Sequence, residues 1–243
     1  MPVFWLNESE LSFPHPKLAE PAGGLLAVGG DLSVERLVLA YRNGIFPWFE
    51  EGGYFYWYAP DPRCVLFPAE LVVHKSMRSI FNQHKFQYTL DTCFSKVIEA
   101  CAETPRDGQK GTWISDPFVQ GYTALHEAGL AHSVEVWQDG ELVGGLYGVS
   151  LGKIFYGESM FARATNASKA GFIRLVKALE QAGFVLIDCQ QDTEHLMRLG
   201  ARNISRDLFM EYLGQNAYVR TFLGRWSFDT EHGIKVSELS AKY

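Results

Sequence analysis

The spacing of apolar residues is irregular in the N-terminal quarter of the chain. Glycines, prolines and aromatic clusters interrupt it, and only residues 34–44 (VERLVLAYRNG) have the period of a short helix. Asp31 or Ser33 is the expected N-terminal cap of this helix, and Gly44 is its expected end. The pattern therefore predicts one helix among turn-rich hairpins.

The pattern becomes regular after the segment Pro60-Asp61-Pro62-Arg63. Two prolines in three residues interrupt any regular element, which makes this segment a plausible domain boundary. Beyond it, helix-type and strand-type periods alternate. We predict a small N-terminal domain over residues 1–62 and a larger second domain over residues 63–243.

The second domain has the pattern of an α+β fold. We predict helices at residues 75–81, 94–101, 116–129, 167–182, 191–199 and 205–213. We predict strands at residues 86–90, 132–137, 142–149, 153–161 and 184–189. The last strand follows a helix and is therefore expected to run parallel to a neighbour. This order is similar to that of GCN5-related acyltransferases, so we expect a GNAT-like domain, in which the acyl carrier binds where two strands splay apart.

Composition and charge exclude several classes of protein. Of the 243 residues 47% are hydrophobic and 14% aromatic, enough for a large core. The net charge of −6 argues against a protein that only coats nucleic acid. The first residues do not have the pattern of a signal peptide, and the apolar runs are too short to span a bilayer. We expect a cytoplasmic protein with no membrane segment and, because its cysteines and histidines are scattered, no metal site.

An acidic residue stands at the end of the last predicted strand. In VLIDCQQ (185–191), Asp188 follows a run of apolar residues that is typical of a strand buried on both faces. A carboxylate there is costly unless it is paired. Either the strand ends in water, or it ends at a reactive site. Asp188 and Gln190 project to the same side of a regular strand, so both would face one cavity.

The segment before the 167–182 helix bears on the acyl donor. In coenzyme A-dependent GNAT enzymes a loop with glycines wraps the pyrophosphate with backbone amides. Here residues 163–169 read RATNASK, and both glycine positions carry side chains that keep a pyrophosphate away from the backbone. We therefore predict no cofactor. This segment disfavours a coenzyme A-dependent N-acyltransferase, and the polar pair at the strand end disfavours a non-catalytic nucleic-acid- or peptide-binding module; both stay open as alternatives.

Nine blocks of the sequence carry a resemblance to a known family. They are GLLAVGGDLS (24–33), AYRNGIFPWF (40–49), WYAPDPR (57–63), GTWI (111–114), AHSVEVW (131–137), LVGGLYGV (142–149), FYGESMF (155–161), NASK (166–169) and LIDCQ (186–190). Together they resemble the leucyl/phenylalanyl-tRNA–protein transferase family, keep the order that this family has, and cover about residues 20 to 210. The chain departs from the family pattern at Tyr58, Ala59, Leu146 and Ala162.

This resemblance implies a reaction and its partners. Leucine or phenylalanine would pass from Leu-tRNA or Phe-tRNA to the N-terminal amine of a protein that begins with Arg or Lys, by aminolysis of the aminoacyl ester. Asp188 and Gln190 match the catalytic pair of the family: Asp188 would accept or steer a proton of the amine, a task that the donor's ribose hydroxyl could share, and Gln190 would orient the amine or the carbonyl. Glu158 would hold the aminoacyl end or the cationic side chain of the acceptor.

The implied substrates suggest two further groups of residues. Selectivity for Leu and Phe needs an apolar pocket. Its candidates, for each of which plain core packing is the alternative, are Leu146, Phe155, Met160, Phe172, Leu175 and Ile187. The candidates for binding tRNA are Tyr41, Trp48 and Trp113, to stack on the terminal adenosine, and Lys75, Arg78 and Lys85, to contact phosphates. These basic residues lie close together in the sequence, and Arg63 shortly precedes them. We expect the protein to be a monomer.

Overall fold

The computed structural model describes residues 3–104 and 114–237. In its N-terminal part four strands form one sheet in the order β1-β2-β4-β3. Their bounds are Phe4–Leu6 (β1), Leu25–Gly29 (β2), Phe46–Glu51 (β3) and Tyr54–Tyr58 (β4). β3 and β4 form a hairpin, as the turn-rich pattern predicts, whereas β1 pairs in parallel with β2. The sequence pattern missed that parallel pair because β1 is only three residues long.

One helix accompanies this sheet, as predicted. It is α1, Val34–Arg42, and the side chain of Ser33 caps it by accepting a hydrogen bond from the backbone N–H of Arg36. Gly44 follows the helix with a φ of +71°, a backbone conformation that glycine adopts without strain. The chain therefore turns sharply after α1 and enters β3.

A seven-stranded mixed sheet forms the centre of the second part of the chain. Its strands are Arg63–Leu66 (β5), Gln87–Leu90 (β6), Ala131–Gln138 (β7), Glu141–Leu151 (β8), Ile154–Ala162 (β9), Leu186–Gln190 (β10) and Arg202–Ile204 (β11). They lie in the order β11-β5-β10-β9-β8-β7-β6. β10 is parallel to β9, which confirms the prediction from its helical entry. The pattern missed β5 and β11, which are short strands that pair with each other at one edge.

Six α-helices of the described residues follow the first strand of this sheet, after a short 3-10 helix at Pro68–Glu70. They are Lys75–Asn82 (α2), Phe94–Glu103 (α3), Asp116–Glu127 (α4), Ala167–Gln181 (α5), Glu194–Arg198 (α6) and Arg206–Asn216 (α7). All six overlap the predicted helices, although α6 is shorter than predicted. A C-terminal hairpin, Arg225–Asp229 (β12) with Gly233–Ser237 (β13), was not predicted.

Buried side chains form two clusters, one on each face of the large sheet. Alternate residues of the strands divide between them: Tyr147 and Tyr156 belong to the cluster that includes α3, α4 and the first sheet, whereas Leu146 and Phe155 belong to the cluster around α5. The first cluster packs the small sheet against the large one. The fold is thus α+β, with a small N-terminal domain and a GNAT-like domain, as predicted.

Candidate active site where β9 and β10 separate

β9 and β10 pair only over part of their length, and a cavity opens where they separate. Their register runs from Leu186 opposite Ile154 to Asp188 opposite Tyr156. Beyond that point β9 stays with β8, while Gln190 pairs with Cys64 of β5. The gap opens into a cavity of about 280 Å³. The cavity therefore lies where strand separation was expected in a GNAT-like fold.

Glu158 lies in the wall of this cavity because β9 bulges there. Tyr147 of β8 is opposite Ser159 and Gly148 is opposite Gly157, so Glu158 is the extra residue. Gly148 is required at this bulge: a Cβ on it would lie 2.2 Å from the carbonyl oxygen of Tyr156. The bulge thus directs one carboxylate to the point where the strands separate.

Three side chains donate hydrogen bonds to the Glu158 carboxylate. The hydroxyl of Tyr41 and the amide Nε2 of Gln190 both reach Oε1 at 2.8 Å, and the hydroxyl of Tyr122 reaches Oε2 at 2.8 Å. The two tyrosine oxygens also lie 2.6 Å apart. The two tyrosine hydroxyls supply two hydrogens for these three oxygen–oxygen contacts when Glu158 is ionised. A proton on Glu158 supplies the third hydrogen.

The surroundings of Glu158 raise its pKa to about 7. Burial is the largest cause, because it disfavours the charged carboxylate. The hydrogen bonds from Tyr122 and Tyr41 act in the opposite direction. A carboxyl group with this pKa exchanges a proton near neutral pH, which is the property that general acid–base catalysis needs.

Unlike the carboxylate of Glu158, the carboxylate of Asp188 has both of its oxygens bound by an arginine. Arg63 donates to its Oδ1 from Nε at 2.8 Å and to its Oδ2 from Nη2 at 2.7 Å, and the backbone N–H of Gln190 also donates to Oδ1. The Arg63 guanidinium lies between the rings of Phe46 and Phe209 and donates to the carbonyl of Gly44. Arg63 is the partner that a buried Asp188 requires. It lies in the core, not with the basic surface residues to which the sequence assigned it.

The backbone at Gln190 departs from regular strand geometry. Its φ is +62°, and the pairing of β10 with β5 shifts between Asp188 and Gln190. The prediction that both side chains project from a regular strand is therefore wrong, although both residues line the cavity. The bulge gives the two side chains different partners: Asp188 binds Arg63, and Gln190 binds Glu158.

Five of the six residues predicted to form an apolar pocket line the cavity. They are Leu146, Phe155, Met160, Phe172 and Ile187. Leu175 is the exception, because it is buried in the cluster around α5 and does not line the cavity. It is one helical turn beyond Phe172, and its side chain packs into the core beneath the cavity wall.

The three predicted aromatic contacts to the adenosine have different positions. Trp48 lines the cavity beside Phe46 and Pro47 and makes an edge contact with the ring of Tyr58. Tyr41 is fully buried and binds Glu158, so its ring has no free face on which a base could stack. Trp113 lies outside the described residues, as does most of the GTWI block. Lys75, Arg78 and Lys85 are exposed, on α2 or in the segment that follows it.

The segment before α5 is packed closely against the sheet. Asn166 has a φ of +67°, and a Cβ added to Gly144 of β8 would lie 2.7 Å from the Cβ of Ala167. This contact uses the space beside β8. The missing pyrophosphate loop stays a prediction from the sequence of residues 163–169.

Two residues of the site were missed by the sequence analysis. Tyr122 is one of several apolar and aromatic residues along α4, and nothing in its local pattern distinguishes it from core. The role of Arg63 had a signal that was not used: a buried acid at residue 188 requires a cation, and arginine is the cation best suited to a buried pair.

Comparison with known proteins agrees with these observations. The sequence profile of the leucyl/phenylalanyl-tRNA protein transferase family matches residues 65–214, and the profile of that family's N-terminal domain matches residues 30–61. The chain belongs to this family. A leucyl/phenylalanyl-tRNA–protein transferase from Pseudomonas putida (strain W619) is 55% identical over 213 residues, which cover 87% of this chain and 94% of that protein. One from Desulfatibacillum aliphaticivorans is 51% identical over 234 residues, or 96% of this chain and 100% of that protein.

Membership of the leucyl/phenylalanyl-tRNA–protein transferase family makes this protein an enzyme that transfers an aminoacyl group from tRNA to the N-terminus of a protein. Among solved structures, a GCN5-related N-acetyltransferase from Kribbella flavida aligns with a TM-score of 0.38 and 12% identity over 74% of this chain and 64% of that one. That alignment is too weak to support the fold assignment. The strand order of the large sheet and the separation of β9 from β10 are what make this domain GNAT-like. Within the described ranges, no helix of this transferase has the length and apolar character needed to cross a membrane.

Proposed function

We propose that the cavity between β9 and β10 is where leucine or phenylalanine passes from its tRNA to the amine of an N-terminal Arg or Lys. One observation carries this proposal: a single cavity joins an apolar wall to a carboxyl group whose pKa is about 7. The apolar wall suits the side chain of the donor amino acid, and the carboxyl group suits the proton of the attacking amine.

The donor binds with its side chain against Met160, Phe172 and Ile187. These residues present no charged group, so a polar side chain would lose hydrogen bonds to water without replacement. Methionine is flexible enough to contact either an aliphatic chain or a ring. Trp48, at the same cavity, offers an aromatic face to the terminal adenosine.

Glu158 takes the proton of the attacking amine. Two hydrogen bonds reach its Oε1 and one reaches Oε2, so Oε2 keeps a lone pair for an amine N–H. The neutral amine nitrogen gives up one proton to the ionised Glu158 as it forms a bond with the ester carbonyl carbon, and the bond from that carbon to the ribose oxygen breaks. The ribose oxygen leaves with a proton, supplied by protonated Glu158 or through the neighbouring ribose hydroxyl. The aminoacyl ester is already activated, so positioning and proton transfer are the main tasks.

Asp188 and Gln190 position the reacting groups. Both oxygens of Asp188 are held by Arg63, and this supports a role in fixing β10 and the backbone N–H of Gln190, in place of the predicted proton acceptor. Gln190 uses one amide N–H for Glu158, and its amide oxygen is available to orient the amine. Every group in this scheme comes from one chain, so a monomer is sufficient.

Asp192 is our candidate for recognition of the cationic side chain of the acceptor. It is exposed at the rim of the cavity, between the cavity residues Gln191 and Thr193. The side-chain amide of Asn203 donates to its Oδ2 at 2.8 Å and fixes its position. A carboxylate there attracts Arg or Lys at the first position of a peptide.

The decisive experiment supplies Phe-tRNA and a peptide that begins with Arg, and looks for the Phe-Arg product by mass spectrometry. The same peptide with an acetylated N-terminus, or with Ala at its first position, is the matched control and should give little or no product. Acetyl-coenzyme A in place of Phe-tRNA tests the N-acyltransferase alternative. Acetylation of the peptide, or equal transfer to the Arg and Ala peptides, would overturn the proposal.

A further inference from the structure

A second cavity adjoins the first, and none of the roles proposed for the transfer reaction involves it. It has a volume of about 420 Å³ and lies between α2, α5 and α6. His195 lines both cavities, so the two are contiguous. The other polar groups in its wall include His74, Lys169 and Arg198, and no acidic residue lines it. This composition indicates a site for an anion.

Lys169 has an unusual electrostatic position. It lies in the first turn of α5, a 15-residue helix with no acidic residue in that turn, and the side chain of Asn166 makes no capping hydrogen bond. A cation there faces the positive end of the helix dipole, which is unfavourable unless an anion binds nearby. None of the ion pairs in the described part of the chain includes Lys169.

Among the other described polar groups in the wall, His195 has an unpartnered ring nitrogen, whereas Arg198 and His74 have partners. The Nε2 atom of His195 is buried and has no hydrogen-bond partner within the described residues. Arg198 pairs with Glu194 on the exposed surface of α6, and its carbonyl lies 2.8 Å from Nε2 of His74. Burial and the charge of Lys169 lower the pKa of His195, so near neutral pH it is uncharged and can still donate from a ring N–H. An anion in this cavity would satisfy both Lys169 and His195.

We propose that this second cavity binds phosphodiester groups of the donor tRNA, in the nucleotides next to its charged 3′ end. The proposal rests on transfer from charged tRNA in the first cavity, because the esterified end must enter there and the backbone must leave nearby. The exposed Lys75 and Arg78 on α2 continue the basic surface beyond the second cavity. A run of cations that begins beside the reaction site and continues outward fits a nucleic acid backbone better than a single small anion.

Two aminoacyl donor substrates distinguish the loss of a phosphate contact from a general change in the first cavity. Phe-tRNA carries phosphates, whereas phenylalanyl-adenosine has the same ester and no phosphate. For Lys169→Gln we expect KM for Phe-tRNA to rise about tenfold, and the slope of log KM against log salt to fall by about 0.7 to 0.9. KM for phenylalanyl-adenosine should not change. Lys177→Gln, on the same helix but outside the second cavity, is the matched control and should behave as wild type.

Three results would overturn the proposal. An equal loss with both donors would mean that Lys169 shapes the first cavity, and no loss with Phe-tRNA would mean that the second cavity does not bind its backbone. A rise in the KM of the peptide acceptor with either donor would assign the cavity to an acidic part of the acceptor. Turnover of Phe-tRNA by the wild-type protein, measured in the same series, distinguishes these outcomes from a failure of the transfer proposal.

Discussion

Arg63 binds both carboxylate oxygens of Asp188, at 2.8 and 2.7 Å, and the two side chains are 1% and 0% exposed. The two residues are 125 positions apart in the chain. The rings of Phe46 and Phe209 cover the guanidinium, with centroids 4.6 and 4.8 Å from its central carbon. This pair fixes the end of β10 to β5 and to the small domain.

Removal of one partner from this pair should be strongly destabilising. Asp188→Asn leaves the Arg63 charge buried and unpaired, and we expect the free energy of unfolding to fall by about 3–5 kcal/mol in urea denaturation. Glu103→Gln removes the partner of Arg163 from an exposed pair and should change stability by less than about 1 kcal/mol. Similar losses for the two variants would contradict the importance that we assign to the buried pair.

The pH dependence of transfer should report the ionisation of Glu158. The carboxylate is the form that accepts a proton, and its pKa is about 7, so kcat should rise with pH below about 7 and level off above it. Glu158→Gln should lower kcat by about 10²- to 10⁴-fold and remove this rise. Single-turnover rates between about pH 5.5 and 8.5 would test both expectations. A profile that keeps its rise in Glu158→Gln would assign the proton to another group, such as the donor's ribose hydroxyl.

Tyr122 should control the pH at which this rise occurs. Its hydrogen bond to Oε2 favours ionised Glu158 and lowers the pKa of that carboxyl. Tyr122→Phe removes the donor, so the inflection of the pH–rate profile should move above about 7. Tyr212→Phe changes a residue whose ring contacts Phe67 and which is not among the hydrogen-bond donors to Glu158, so it should leave the inflection unchanged. A lower inflection in Tyr122→Phe would contradict the direction that we assign to this bond.

Met160 should influence the choice between leucine and phenylalanine. Met160→Ala enlarges the cavity, and we expect the ratio of kcat/KM for Phe-tRNA to that for Leu-tRNA to increase about tenfold. Leu175→Ala removes a side chain that is buried outside the cavity, so it should lower the free energy of unfolding by about 2–5 kcal/mol without changing this ratio. A changed ratio in Leu175→Ala and not in Met160→Ala would reverse these assignments.

The sequence predicted the helices and longer strands better than it predicted which strands and side chains pair. All the helices from α1 to α7 overlap a predicted helix, and the lack of glycine in the segment before α5 can be read directly from residues 163–169. β5 and β11 were missed because strands of four and three residues have too few positions to show a period. Within the site, the residue types of Met160, Glu158 and Gln190 indicated chemistry, but their partners were not visible.

Local sequence determined which residues could form the site; tertiary structure decided what each of them does. The apolar run before Asp188 specified a buried strand, because side chains in such a run must leave water. The pairing of Asp188 with Arg63 and the hydrogen bonds of Tyr41 and Tyr122 to Glu158 depend on strand register and on two bulges. Those features are set by packing between residues far apart in the chain, and a bulge of one residue is enough to change which side chain enters the cavity.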